Sequence, residues 1–152
     1  MIQETRPDPR TAPKGRCSPQ KYRTWLDRKA RAHVARDRRR GNARATRADY
    51  MRAIHEAVLR SRGRDIYTGR ALAWNKISTY DNAASKARGR KYKHALADLP
   101  TVDHEGDGRG APRFHICSWR VNDAKHDLPY EKFITLCRQV LKWNKRTRSA
   151  AV

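Results

Sequence analysis

Between Leu99 and Leu128 the chain gathers the side chains best suited to chemistry: an acid and an imidazole side by side, Asp103-His104, and further on a carboxamide, Asn122. One carboxylate and one carboxamide make an oxygen-rich site that suits a hard cation such as Mg²⁺, which keeps several waters and takes few protein ligands. A neutral imidazole beside such an ion can take a proton from a water attacking phosphorus, and the ion can neutralise charge on the phosphate and on the leaving oxygen. That set suffices to hydrolyse a phosphodiester.

Local elements must bring these groups together. Leu99-Pro100-Thr101-Val102 is a short apolar approach that delivers Asp103-His104 to the edge of a loop. Residues 105–112 hold three Gly and one Pro, so the chain must turn there. The alternation in 113–119 predicts a second strand, with Phe114, Ile116 and Ser118 on one face and His115, Cys117 and Trp119 on the other. The two strands form a hairpin. Val121-Asn122-Asp123-Ala124-Lys125, free of Gly and Pro, is expected to make a single helical turn packed back on it.

Asp-His at a strand end, a Gly-rich loop, a second strand and Asn122-x-x-Lys125 together resemble the HNH (ββα-metal) nucleases, in the variants whose last metal ligand is Asn rather than His. The resemblance is strongest over 99–128, about a fifth of the chain. Asp65-Ile66-Tyr67-Thr68-Gly69-Arg70-Ala71-Leu72 is similar to the Tyr-Thr-Gly turn that precedes the motif in phage and plasmid members. The resemblance implies His104 as general base, Asp103 and Asn122 as ligands of one divalent ion, Mg²⁺ or alternatively Mn²⁺, and DNA as substrate. The family usually has an Asn nine positions before the last ligand to orient the base, and here that position is Arg113. His115, on the same strand face as Arg113, is the nearest substitute for the orienting role.

Composition bounds the partner. Lys and Arg number 36 against 15 acids, a formal charge of +21, which implies a polyanion. The bases divide evenly, 18 in residues 1–62 and 18 in 63–152, so the nuclease-like part is basic too. Arg38, Arg39 and Arg40, together with Arg113, Arg120 and Lys125, are the expected nucleic-acid contacts, to DNA or alternatively RNA. No run approaches the ~18 apolar residues of a membrane span, and MIQETRPDPR lacks the apolar core of a signal peptide. A cytoplasmic location, no membrane partner and no small-molecule cofactor follow as expectations; the oligomeric state is left open. Cys17, Cys117 and Cys137 form no C-x-x-C pair, which supports neither a disulfide framework nor a zinc knuckle.

The expected architecture is α+β, a mainly helical small domain built around the hairpin and its helical turn. Residues 1–17 read as a disordered basic arm, 18–62 as a basic helical region and 63–152 as the nuclease domain with a C-terminal helix. Ser18-Pro19 opens a helix to about residue 40, whose stripe is Tyr22, Trp25, Leu26, Ala30, His33 and Val34. Thr46 and Asp49 open another, buried through Tyr50, Ile54, Ala57 and Val58 and stopped by Gly63. His33 and His55 then read as core or boundary residues. Asp81 can cap a helix over 82–86, while 87–94, with Gly89 and the cluster Arg88, Arg90, Lys91 and Lys93, reads equally as a loop facing nucleic acid or as more helix. The last helix begins at Asp127-Leu128-Pro129, buries Phe133, Ile134, Cys137, Val140 and Leu141, and frays into a basic tail after Lys142.

Two other functions fit the composition: a catalytically inactive DNA- or RNA-binding module that retains the HNH fold, and an RNA-binding or ribosome-associated protein. Catalysis separates the first reading from these.

Overall fold

The computed structural model describes residues 17–149; the expected arm falls outside it apart from Cys17, which packs against the core. The chain is α+β and mostly helical, with five α-helices and a two-stranded antiparallel sheet. Helix α1 spans Pro19–Arg39, capped by the Ser18 hydroxyl accepting from the Lys21 amide, with Pro19 at its first position. Gly41, at φ 95°, takes the chain out of it. Helix α2 spans Arg47–Ser61, and its Thr46 cap accepts from the Asp49 amide while donating to the Asp49 carboxylate. Both helices are entered as their cap residues dictate.

The stripes of α1 and α2 face each other and the hairpin. Trp25 meets Trp74 edge-on at 5.3 Å between centroids, and Tyr50 meets Phe114 likewise at 5.6 Å. One hydrophobic cluster contains Tyr22, Trp25 and Leu26 of α1, Tyr50 and Ile54 of α2, and Val102, Phe114 and Ile116 of the sheet. The basic helical region and the hairpin therefore share a single core. Strand β1 is Pro100–His104 and β2 is Phe114–Ser118, paired with Val102 opposite Ile116 and Asp103 opposite His115.

Several elements differ from expectation. β2 ends at Ser118, because its hydroxyl accepts from the Val121 amide and starts helix α4, Trp119–Lys125; Trp119 opens a helix instead of ending a strand. Helix α3, Asn82–Ala95, runs on through 87–94, which the sequence left open between helix and loop, interrupted by a kink at Gly89 (φ 53°, ψ −128°). Asp81 caps it at Ala84, and the Tyr92 hydroxyl accepts from the Asp81 amide, so the second half is tied to the first residue. Helix α5, Tyr130–Ser149, stays helical through the basic tail. Its expected stripe is not buried: Val140 and Leu141 are exposed, and Cys137 is exposed where a small core residue was expected. Only Phe133 and Ile134 are half-buried. No described helix is long and apolar enough to cross a membrane.

His55 is a core residue, its Nδ1 at 2.7 Å from the Tyr22 hydroxyl. His33 packs edge-on to Phe114, and its buried Nδ1 finds no partner among the described residues. Burial, followed by the charges of Arg36, His104 and Lys29, pushes the His33 imidazole down from 6.5 to about 3. Between those values the unfolded chain binds a proton that the native state does not, so stability rises with pH across that window. It is complete above about pH 6.5 and is lost as the pH falls toward 3. His33→Phe is expected to flatten the decline of the urea midpoint over this window, removing a slope on the order of 1.4 kcal/mol per pH unit.

Candidate active site

Strand alternation decides which way each motif residue points. His104 pairs with Phe114 across the hairpin, whereas Asp103 pairs with His115 on the opposite face. The His104 ring meets Phe114 edge-on at 5.1 Å, lies over His33 at 6.2 Å, and its side chain is 7% exposed. Its Nε2 is 2.8 Å from Oδ2 of Asp37 on α1. His115 cannot orient His104 from the other side of the strand, which corrects the role expected of it. Instead its Nε2 is 3.0 Å from Oε1 of Glu105, the residue that also holds Arg113 at 3.5 Å.

Asp37 is wholly buried. Oδ2 accepts from the Tyr50 hydroxyl at 2.6 Å and Oδ1 from Nε of Arg36 at 3.1 Å. Burial alone would push its pKa up, but the hydrogen bonds from Tyr50, His104 and Arg36 outweigh it and hold the carboxyl below the usual range. Asp37 is therefore an anion and can only accept.

Asp103 is held just as firmly. Oδ1 accepts from the Lys125 ammonium at 3.0 Å and Oδ2 from the Tyr67 hydroxyl at 2.5 Å. Burial, then the hydrogen bond to Asp103, raises the Tyr67 phenol above its ordinary value. The turn that aims Tyr67 is built by Asp65: Oδ1 accepts from the Tyr67 and Thr68 amides and Oδ2 from the Ser118 amide at 2.7 Å. Gly69, at φ 68°, closes this turn back onto the Asp65 carbonyl. The Tyr67 ring then meets Phe133 of α5 edge-on at 5.7 Å and lies tilted against Tyr130 at 5.3 Å.

Two adjoining clefts open over these groups, of about 670 Å³ and about 580 Å³, sharing Asp103, His104, Gly106, Lys125 and Asp127. Glu105, Arg113 and His115 line the first; Asn122 lines the second with Arg36 and Arg40. The hairpin and α4 thus bring Asp103, His104 and Asn122 to one opening. Among the described residues no three His, Cys, Asp or Glu side chains gather to hold a metal. The oxygens present still fit a hard, largely hydrated cation in kind. Asp103 already offers Oδ1 to one cation, the Lys125 ammonium, and the Asn122 carboxamide borders the same cleft.

The expected nucleic-acid contacts fare unequally. Lys125 is 5% exposed and committed to Asp103, so it is not a phosphate contact in this state. Arg38 donates through Nε and Nη2 to the Ala45 carbonyl, which fastens the end of α1 to the loop before α2. Arg39 and Arg40 are exposed, as is Arg113. Arg120 is exposed and lies 2.6 Å from Nδ1 of His94, a contact with no sequence signal.

Sequence reasoning passed over Asp37, Tyr67 as a partner of Asp103, and Glu105. Asp37 did carry a signal, since it falls three and four positions after Val34 and His33 and so extends the apolar stripe of α1. An acid on a buried stripe requires donors. No family model matches the chain, and no match was found among curated proteins or solved structures.

Proposed function

We propose that the protein is a metal-dependent endonuclease of the HNH type that hydrolyses DNA phosphodiester bonds. The observation that carries this reading is the convergence of Asp103, His104 and Asn122 on one cleft rimmed by Arg36 and Arg40. Asp103 and Asn122 would hold a divalent ion, Mg²⁺ or Mn²⁺, which when bound neutralises charge on the phosphate and on the leaving oxygen. His104, neutral, accepts a proton as the attacking water forms its bond to phosphorus and the bond to the leaving oxygen breaks. Arg36 and Arg40 supply positive charge at the rim, where a phosphate backbone must pass. Tyr67 and Lys125 keep the Asp103 carboxylate oriented.

Supercoiled plasmid incubated with the protein should be nicked or linearised in Mg²⁺ and left intact in chelator. One observation favours a second reading, that of a binding module on the same fold: both oxygens of Asp103 are taken by Lys125 and Tyr67. A plasmid that is bound but never cut, across a series of divalent metals, would select it.

Binding in either case should be strongly salt-dependent and tolerant of sequence, because exposed Arg and Lys contact phosphates and each contact releases counterions. Affinity for a random duplex is expected to fall by orders of magnitude between about 50 and 200 mM salt, as read by fluorescence anisotropy. A flat salt profile would mean that the charge of +21 serves something other than nucleic acid.

A further inference from the structure

We infer that Asp37 is the positioning residue of the site: its carboxylate accepts the Nε2 proton of His104 and so leaves the imidazole lone pair on Nδ1. The inference rests on the nuclease reading of His104 and adds to it a residue from outside the hairpin and the tautomer of the ring. An unprotonated carboxylate 2.8 Å from Nε2 can only accept, so the proton must be on Nε2. Nδ1 is then the basic nitrogen. It is buried and has no hydrogen-bond partner among the described residues, whereas Nε2 is already engaged.

His104, Tyr50 and Arg36 hold Asp37 from three sides. Tyr50 from α2 and Arg36 from α1 donate to it, which leaves the carboxylate no rotation that keeps all its bonds. The Gly-rich loop closes the fourth side: a Cβ on Gly108 would stand 2.5 Å from Oδ1 of Asp37, so only glycine allows the loop to pass. Asn42 clamps the loop in that position, its Nδ2 donating to the Gly108 carbonyl at 2.9 Å.

Asp37→Asn tests the assignment with nearly unchanged shape. An amide has one oxygen, and the Arg36 guanidinium will claim it, which turns the NH₂ toward Nε2 and drives the ring to the tautomer protonated on Nδ1. Plasmid cleavage kcat is expected to fall by about 10–100-fold, the usual worth of a partner that orients a working group. KM for DNA and the half-saturating Mg²⁺ concentration should not move. A brace would shift stability without this split.

The second readout needs no activity. In ¹⁵N-histidine-labelled parent protein, with the His104 signals identified by their loss in His104→Gln, long-range ¹H–¹⁵N correlation should show Nε2 protonated and Nδ1 bearing the lone pair. In Asp37→Asn that pattern should shift toward a protonated Nδ1. A parent spectrum with the proton on Nδ1 overturns the inference, as does an Asp37→Asn protein whose tautomer and kcat both equal the parent's. If Asp37→Asn does not fold, the parent spectrum decides alone. A parent that never cleaves DNA refutes the nuclease reading, and the tautomer in the same sample still decides what Asp37 does to His104.

Discussion

His104→Ala is expected to lower plasmid cleavage by about 10²–10⁴-fold, the usual contribution of a positioned acid–base group, while DNA affinity stays near the parent value. The two effects separate because the ring is buried, 7% exposed, whereas Arg39, Arg40 and Arg113 are on the surface. Removing the ring leaves Asp37 two donors, Tyr50 and Arg36, so the buried anion is not stranded. The ring does fill space beside Phe114 and His33, and His104→Gln is the better-packed companion variant. Single-turnover cleavage and anisotropy on the same preparations give the two numbers. A His104→Ala protein that cuts as fast as the parent would show that the imidazole is a core residue and that the nuclease mechanism is wrong.

Asp103→Ala should abolish cleavage, and it should also destabilise the protein. The first effect would be loss of the carboxylate proposed to hold the ion, and part of it should return at raised metal concentration. The second comes from Lys125, whose ammonium is buried and has Asp103 as its partner at 3.0 Å. Removing one member of a buried pair leaves an uncompensated charge and costs about 3–5 kcal/mol, visible as a lower urea midpoint. Asp103→Ala combined with Lys125→Met should recover most of that stability and none of the activity. If the double variant stayed as unstable as Asp103→Ala, the buried pair would not be the source of the loss; if Asp103→Ala cut normally, no ion would be acting through this carboxylate.

What could be read from the chain before folding was local. Ser18-Pro19 and Thr46-x-x-Asp49 are cap signatures because the hydroxyl and the amide it bonds lie within one turn, and alternation in Phe114-His115-Ile116-Cys117 marks a strand whatever it pairs with. The juxtaposition of Asp103, His104 and Asn122 followed from two turns in the right places. Partner choice was not legible in the same way. Asp37 sits among five arginines in residues 31–40 and looks like charge balance; what sets it apart is its place on a stripe, and which donors would meet it depended on α2 and β1. His115 was a reasonable orienting group by distance along the strand and the wrong one by face. The stripe of α5 shows the converse limit: periodicity reports that a face is apolar, and says nothing about whether this chain covers it, so Cys137 and Leu141 lie in the open.

The site is stitched together by long loops of sequence: 67 residues separate His104 from Asp37, 66 separate Gly108 from Asn42, and 53 separate Ser118 from Asp65. Closing such loops is entropically slow, and the three contacts wait in turn for β1, its loop and the end of β2. A nascent chain that has emerged through α2 already carries Asp37, Tyr50 and Arg36, but the anion has no imidazole to hold. A fragment beginning after α2 has the reverse defect, possessing His104 without the carboxylate that sets its proton. The contact between Asp37 and His104 thus belongs to the chain that carries both α1 and the hairpin.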